Sequence, residues 1–330
     1  MQRRRSLGYL ILAVASLLFT SDLLTPALGQ AQDYPSRPIR LIITSPAGSL
    51  VDVLGRLFAE DLGTRLGQPI VVDNRSGAMT QVGSEALNRA PADGYTLMIG
   101  TSELTMLPFL KKGYRYDPLK DFTPIALVAS SWTVFAINPN VPAKTLPEFI
   151  AYAKANPGQV RYGSGGIGGA LHIAVEMLKL KTGADLVHVP YRGGAQAATD
   201  AISGQIEMVS MGLASARVAD GGKLRILAQA GPSRHPMFAD VPTTAELGLP
   251  DVRMDTWFGL IAPPSLPDAI VAKIARAVEA SAREQSFRER LFKIGCDVAW
   301  KSPSDFTAFL SADQDKWSKL IPAMGISLAD

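Results

Sequence analysis

Residues 38–62 read PIRLIITSPAGSLVDVLGRLFAEDL, and this segment decides the fold class. The β-branched run at 39–43 predicts a short buried strand, and the turn-rich residues 44–49 predict a loop. Apolar residues then return at helical spacing, at Leu54, Leu57, Phe58, Leu62 and Leu66. A strand that leads through a short loop into an amphipathic helix is the repeating unit of α/β proteins, so we predict that class.

The same alternation continues along the chain. Strands at 70–73 and 95–99 flank a helix at 80–89, which completes a βαβαβ half with a mostly parallel sheet covered on both faces. A second series of strands and helices begins at Trp132, and a strand at 257–261 returns toward the first half. We therefore predict two α/β lobes.

The predicted domain bounds follow from the two points at which the chain passes from one lobe to the other. Lobe 1 comprises residues 34–130 and 252–330, and lobe 2 comprises residues 131–251. The crossings near Ser130 and Asp251 would form a hinge that allows the lobes to close by rigid-body rotation.

Composition supports two packed lobes and excludes several other classes. The chain has 330 residues, of which 47% are hydrophobic and 19% charged, so it can bury a sizeable core and is neither disordered nor a coiled coil. The formal charge is +3, but three arginines and one aspartate lie in residues 1–29. The remainder is nearly neutral, so we expect no binding to nucleic acid or to anionic lipid.

The N-terminus carries the features of an export signal. Arginines at 3–5 precede an apolar run at 7–19, which is too short to span a bilayer. Small residues follow at Ala27 and Gly29. We predict that residues 1–29 are a signal peptide cleaved near Gly29, which places the protein in the periplasm.

Two loops, at 45–49 and 162–169, place glycine and hydroxyl residues between a strand and a helix. Unpaired amides and the macrodipole at a helix N-terminus attract an anion, and glycine lets the anion approach the backbone. One such loop in each lobe could form two jaws around one small anion. The alternative is that the glycines only make tight turns. Ser49 and Asp52 match a capping arrangement, which would fix the helix that presents the first loop.

Patterns for other chemistries are weak. Gly163, Gly165 and Gly168 match a dinucleotide-binding spacing, but the next strand lacks an acidic residue at its end. The histidines show no metal-ligand spacing, so we predict neither a metal nor a cofactor. One enzymatic alternative stays open, namely a periplasmic hydrolase that uses Ser164 and His172.

Short motifs along the chain carry a family resemblance. In order they are YPSRPIR (34–40), PAG with Asp52, DNR (73–75), ADGYTL (92–97), GTS (100–102), YDP with KDF (116–122), YGS (162–164) with His172, HVPY (188–191), DVPT (240–243) and WFGL (257–260). With these motifs the chain resembles the tripartite tricarboxylate transporter substrate-binding proteins, also called Bug proteins, over essentially its whole mature length.

The resemblance implies a periplasmic-binding-protein architecture of the type II-like, Venus-flytrap form, with a ligand cleft between the lobes. It implies a monomer without catalytic activity that captures a small carboxylate and delivers it to a tripartite tricarboxylate-type membrane permease. Backbone amides, hydroxyls and bridging waters from the two loops would hold the carboxylate. The predicted ligand-binding residues are Ser45, Ala47, Gly48, Ser49, Asp52, Thr101, Ser102, Ser164, Gly166, Gly168, Gly169, His172 and Met211.

The chain departs from the family pattern where ligand specificity should be set. The family commonly has Phe-Pro-Ala-Gly-Gly in the first loop, where this chain has Ser45 and Ser49 at the first and last positions. Residues 169–171 are glycine, alanine and leucine where the family has small hydroxyl residues, and Met211 lies in a stretch that is usually polar. A buried polar group without a partner costs on the order of 1–3 kcal/mol, so we expect a carboxylate with an apolar or aromatic remainder.

Overall fold

The computed structural model describes residues 34–328, so the predicted signal peptide at 1–29 lies outside the described residues. The strands are β1 (Ile39–Ile43), β2 (Ile70–Asn74), β3 (Thr96–Thr101), β4 (Thr123–Ile137), β5 (Arg161–Ser164), β6 (Val187–Pro190), β7 (Met208–Gly212), β8 (Arg225–Gln229), β9 (Asp255–Ala262) and β10 (Asp297–Lys301). The helices are α1 (Leu50–Leu66), α2 (Gln81–Asn88), α3 (Glu103–Leu110), α4 (Leu146–Ala155), α5 (Ala170–Thr182), α6 (Gly194–Ser203), α7 (Asp268–Arg283), α8 (Gln285–Lys293) and α9 (Pro303–Met324).

These strands form one mixed sheet in the order β2-β1-β3-β9-β4-β7-β5-β6, and β8 and β10 also pair with β4. β1 is parallel to both β2 and β3, as the predicted βαβαβ half requires. β9 is antiparallel to β3 and to β4, so it closes the first half in the opposite direction. The predicted α/β class is confirmed. We refer to the half with β1, β2, β3, β9 and β10 as lobe 1, and to the half with β5 to β8 as lobe 2.

The long strand β4 belongs to both lobes. Its first part pairs with β9 and β10 in lobe 1, and its last part pairs with β7 and β8 in lobe 2. The sequence predicted a strand only from Trp132 onward, whereas β4 begins at Thr123. Pro124 and the hydroxyl pair at 130–131 interrupt the apolar run, which explains why the earlier part of the strand was missed.

Two helices pack against both lobes. Trp317 and Ile321 of α9, together with Met106 of α3, are buried in the same apolar core as Tyr162 of lobe 2. The carboxylate of Asp313 in α9 also accepts hydrogen bonds from Thr105 Oγ1 in α3 (2.7 Å) and from Trp257 Nε1 in β9 (3.0 Å). The C-terminal helix therefore ties lobe 1 to the core of lobe 2.

Some elements were not predicted, and each has a local reason. α3 contains an internal proline, Pro108, and α8 begins at Gln285, directly after the end of α7. β10 is a five-residue strand whose side chains are all only partly buried, so it lacks a clear apolar pattern. Within residues 34–328, no helix combines the length and the apolar character needed to cross a bilayer.

Candidate functional site

A cavity of about 460 Å³ lies between the two lobes. Lobe 1 contributes residues around the first predicted loop and the end of β3, and lobe 2 contributes residues 165–167, 169–171 and 194–195. A surface depression of about 610 Å³ runs along α1 and β2, but only lobe 1 lines it. The cavity between the lobes is the candidate site because it joins both predicted loops and lies within the volume range of small-molecule pockets.

The N-termini of four helices line this cavity within the described residues, through residues 50–51 of α1, 103 of α3, 170–171 of α5 and 194–195 of α6. The first amides of a helix have no intrahelical partner, and the macrodipole places partial positive charge there. The N-caps of α5 and α6 are Gly169 and Gly193, which provide no side-chain cap. The first-turn amides of these two helices are therefore available to an anionic ligand.

Polar side chains behind the second loop hold its shape. The amide of Gly166 donates to Ser164 Oγ (3.3 Å), which lies 2.8 Å from Nε2 of His188. The amide of Gly168 donates to Nδ1 of His172 (3.1 Å). The two imidazole rings stack with centroids 4.1 Å apart. Ser164 and His172 are buried and outside the cavity lining, so they support the loop from behind.

This arrangement makes stability depend on pH. Burial lowers the pKa of His188 to about 4, with a further contribution from neighbouring His172, and burial also lowers the pKa of His172. An unfolded histidine binds a proton below about pH 6.5, but the folded rings do so only at lower pH. The free energy of unfolding should therefore fall by about 1–2 kcal/mol from pH 7 to pH 4.5. This loss is smaller than the pKa shift alone implies, because solvent screens the partly buried ring of His188.

Urea unfolding at several pH values measures this dependence, and His188→Gln should flatten it between pH 7 and pH 4.5. Ser164→Ala serves as the comparison, because it removes the hydroxyl partner but keeps both imidazoles. A His188→Gln slope as steep as that of the wild type would contradict the assignment.

The first loop is held by the carboxylate of Asp52. Its Oδ2 accepts from the amide of Gly48 (2.9 Å) and from Nε of Arg56 (3.1 Å), and its Oδ1 accepts from Nδ2 of Asn74 (2.9 Å). Asn74 Nδ2 also donates to the carbonyl of Ser45 (3.0 Å). The hydrogen bond from Arg56 is the largest cause that lowers the pKa of Asp52, to about 2. Ser49 caps α1 as predicted, because its side chain accepts a hydrogen bond from the amide of Asp52.

Asp52→Ala should lower the free energy of unfolding at pH 7 by about 2 kcal/mol, because it leaves the Gly48 amide and the Asn74 side chain without their partner. Because folding lowers the pKa of Asp52, the wild type should exceed Asp52→Ala in free energy of unfolding above about pH 4, and this difference should disappear as the pH falls toward 2. Chemical denaturation measures both effects. Glu279→Ala, which removes only an exposed ion pair with Arg283, is the control and should change stability by less than about 0.5 kcal/mol. Equal losses in both variants would contradict this role.

The remaining predicted residues lie at different depths. Thr101 lines the cavity, and its hydroxyl donates to Glu103. Ser102 is buried, and its Oγ accepts from the amide of Trp257 (3.0 Å), so it fixes α3 to β9. Met211 is fully buried in the core of lobe 2, and the next residue, Gly212, lines the cavity.

The structure thus separates the predicted set into two layers. The cavity is lined by Ser45, Thr101, Gly166 and Gly169. The layer outside the lining contains Ala47, Gly48, Ser49, Asp52, Ser102, Ser164, Gly168, His172 and Met211.

Sequence reasoning missed several cavity residues. Trp132 of β4 and Phe258 of β9 contribute aromatic surface, although the motif that contains Phe258 was recognised without a role. Met79 and Thr80 line the cavity from a turn in which they and Ala78 all have positive φ (49°, 75° and 44°). Three successive non-glycine residues in the left-handed region store strain, a common feature of functional sites, and their sequence gives no sign of it.

The residues described contain no cluster of three or more potential metal ligands. The Ser164–His172 pair required by the hydrolase alternative does not form, because Ser164 contacts His188 and Nδ1 of His172 is occupied by the Gly168 amide. A nucleophile in the buried layer would also lack access to a ligand in the cavity.

Comparisons with known proteins identify the family to which the chain belongs. A family model described as "Tripartite tricarboxylate transporter family receptor" matches residues 54–326. Protein BugT of Bordetella pertussis is 30% identical over 329 residues, which cover 97% of this chain and 98% of BugT. A solved structure described as a periplasmic transporter has a TM-score of 0.80 at 36% identity, covering 90% of this chain and 100% of its own. R. palustris Rpa4515 with adipate has a TM-score of 0.81 at 31% identity, covering 89% and 99%.

Proposed function

Since the chain belongs to the tripartite tricarboxylate transporter receptor family, we propose that it captures a small carboxylate between its lobes and delivers it to a membrane permease of that type. The resemblance predicted from the sequence motifs is confirmed, as is the two-lobed architecture. Proteins of this kind are solute-binding receptors rather than enzymes, and no observation favours the hydrolase alternative.

The observation that carries the proposal is the convergence of the α1, α5 and α6 N-termini on one cavity. The uncapped amides of α5 and α6 offer a carboxylate several hydrogen bonds, and the glycines at 166 and 169 leave room for its approach. A binding protein gains from this chemistry because backbone donors are rigid and need little ordering when the ligand enters.

Apolar side chains support a ligand with a hydrocarbon or aromatic remainder. Leu50 and Phe258 line the cavity from lobe 1, and Trp132 and Leu171 line it toward lobe 2. The relative solved with adipate provides a reference ligand, because adipate joins two carboxylates through an apolar chain. Eight serine and threonine residues line the same cavity, so it also offers hydrogen-bond partners to hydroxyl groups of a ligand.

A thermal-shift screen of linear and aromatic carboxylates, followed by calorimetry on the best ligand, tests the proposal. We expect saturable binding of one ligand per chain, with no chemical change in the recovered ligand. Failure of every carboxylate to raise the melting temperature, or turnover of an ester panel, would contradict the proposed function.

We further propose that lobe closure accompanies binding, about a hinge where residues 34–130 and 252–330 meet residues 131–251. Hydrogen bonds between the crossing segments support this position: Ala230 donates to the carbonyl of Thr133 (2.8 Å), and Met254 donates to that of Ala230 (2.9 Å). Small-angle scattering should record a smaller radius of gyration when the protein is saturated with ligand. An unchanged radius would contradict closure.

We also propose export to the periplasm, with cleavage near Gly29 and a monomeric mature protein. The support is the arginine and apolar pattern of residues 1–29 and the periplasmic relative among solved structures. Intact-mass analysis of the periplasmic fraction should give a chain that begins near Gln30, and size-exclusion chromatography should give the mass of one chain. A membrane-bound species that retains residues 1–29 would contradict the export prediction.

A further inference from the structure

The cavity between the lobes has one ionisable side chain among the residues described, and it is acidic. Glu103, the first residue of α3, lines the cavity from lobe 1. Within residues 34–328, no lysine, arginine or histidine lines the cavity, and Glu103 takes part in no ion pair. A receptor for a dianion would thus present a like charge to its ligand with no cationic side chain to offset it.

Only one of the two carboxylate oxygens of Glu103 has a hydrogen-bond partner among the described residues. Thr101 Oγ1 donates to Oε2 of Glu103, and an acid in the first turn of a helix is favoured by the macrodipole. Oε1 has no hydrogen-bond partner among the described residues, and the side chain is only partly buried. One oxygen of Glu103 is therefore free to accept a hydrogen bond from a ligand.

The wall contributed by lobe 2 has the opposite polarity. Residues 170–171 and 194–195 place the uncapped N-termini of α5 and α6 in the cavity lining. These amides and the helix dipoles favour a negative group, whereas the carboxylate of Glu103 favours a positive group or a strong donor. The N-terminus of α1 in lobe 1 also lines the cavity, but Ser49 caps it and Asp52 places a carboxylate in its first turn. The uncapped amides therefore lie on the side of lobe 2, opposite Glu103.

We propose that the ligand is an aminocarboxylate, with its carboxylate at the N-termini of α5 and α6 and its ammonium group at Glu103. The inference rests on the proposed function and narrows its ligand class. The part between the two charged groups would pack against the apolar walls at Trp132 and Phe258. A ligand that bridges the two lobes in this way would also favour their closure, since each end contacts a different lobe.

Calorimetry with length-matched ligands tests the polarity directly. Adipate and 6-aminohexanoate have the same number of carbons, and they differ by replacement of one carboxylate with an aminomethyl group, which carries the positive charge on its ammonium end. Glutarate and 5-aminopentanoate form a second pair. We expect the aminocarboxylate of the better-fitting pair to bind the wild type at least 10-fold more tightly than its dicarboxylate partner.

Glu103→Gln should lower the affinity for the aminocarboxylate at least 10-fold and raise that for the dicarboxylate, because it removes the charge and keeps the side-chain shape. Asp268→Asn is the matched control, since it neutralises an exposed acid at the first residue of α7, away from the cavity, and should change neither affinity. Urea midpoints establish that both variants are folded.

Tighter dicarboxylate binding by the wild type, unchanged in Glu103→Gln, would overturn this inference and leave the proposed function intact. Binding of neither ligand class at any chain length would overturn both.

Discussion

Gly169→Val is expected to weaken binding of the best carboxylate at least 30-fold, which corresponds to about 2 kcal/mol. Gly169 is the N-cap of α5, it lines the cavity, and its φ of −71° and ψ of 162° suit a β-branched residue. An added Cβ would have only the carbonyl oxygen of Gly166 nearby, at 3.8 Å, so the protein itself accommodates it. The valine methyl groups would instead occupy the space in front of the first-turn amides and exclude the carboxylate.

Gly193→Val is the matched control. Gly193 is the N-cap of α6, it has extended backbone, and an added Cβ would meet nothing within 4 Å, but it does not line the cavity. Both substitutions place valine at a glycine N-cap, so their effects on helix stability should be similar. Calorimetry should show a large loss of affinity only for Gly169→Val. Equal affinities of the two variants would place the carboxylate elsewhere.

Gly295→Ala should lower the free energy of unfolding by about 3 kcal/mol. Gly295 lies between α8 and β10 with φ of +72°, where a Cβ costs about 1 kcal/mol. That Cβ would also lie 2.5 Å from the amide nitrogen of Ala214, which follows β7 in lobe 2. The overlap is with backbone, and the position is held by Ser131 Oγ, which donates to the carbonyl of Gly295 (2.7 Å). Relief of the overlap therefore requires a shift of one lobe against the other.

Gly325→Ala separates the cost of a Cβ at positive φ from the cost of the overlap with Ala214. Gly325 ends α9 with φ of +68°, and an added Cβ there would meet nothing within 4 Å. It should therefore show only the conformational cost of about 1 kcal/mol. Urea unfolding of both variants measures the difference. A loss in Gly295→Ala no greater than that in Gly325→Ala would mean that the close approach to Ala214 has no energetic weight.

The sequence was sufficient for the strand–loop–helix units, because their signals are local. The apolar run at 39–43, the capping residue Ser49 and the helical spacing that follows it all lie within a few neighbouring residues. The continuity of β4 could not be predicted, because pairing with strands of both lobes stabilises its middle despite the interruption at 130–131. Tertiary contacts override local propensity there.

The candidate site was predicted at the level of loops rather than side chains. Both glycine-rich loops reach the cavity, but Ser164 and His172 face the loop backbone, and Met211 faces the core. Which side of a loop or strand meets the ligand depends on what packs behind it, and that information is spread over distant residues. Glu103 was missed for a related reason, since α3 carries Pro108 and has no apolar periodicity to mark its first turn.

The shared strand β4 has a consequence for the design of biosensors from this receptor. A reporter domain spliced between residues 130 and 131 would cut a strand that is paired on both sides, so it would break the sheet instead of recording closure. The turn at Gly158 has open space around it and lies between α4 and β5. A fluorescent domain inserted there would leave the sheet intact. With a second fluorescent domain attached to lobe 1, the energy transfer between the two domains would report ligand uptake.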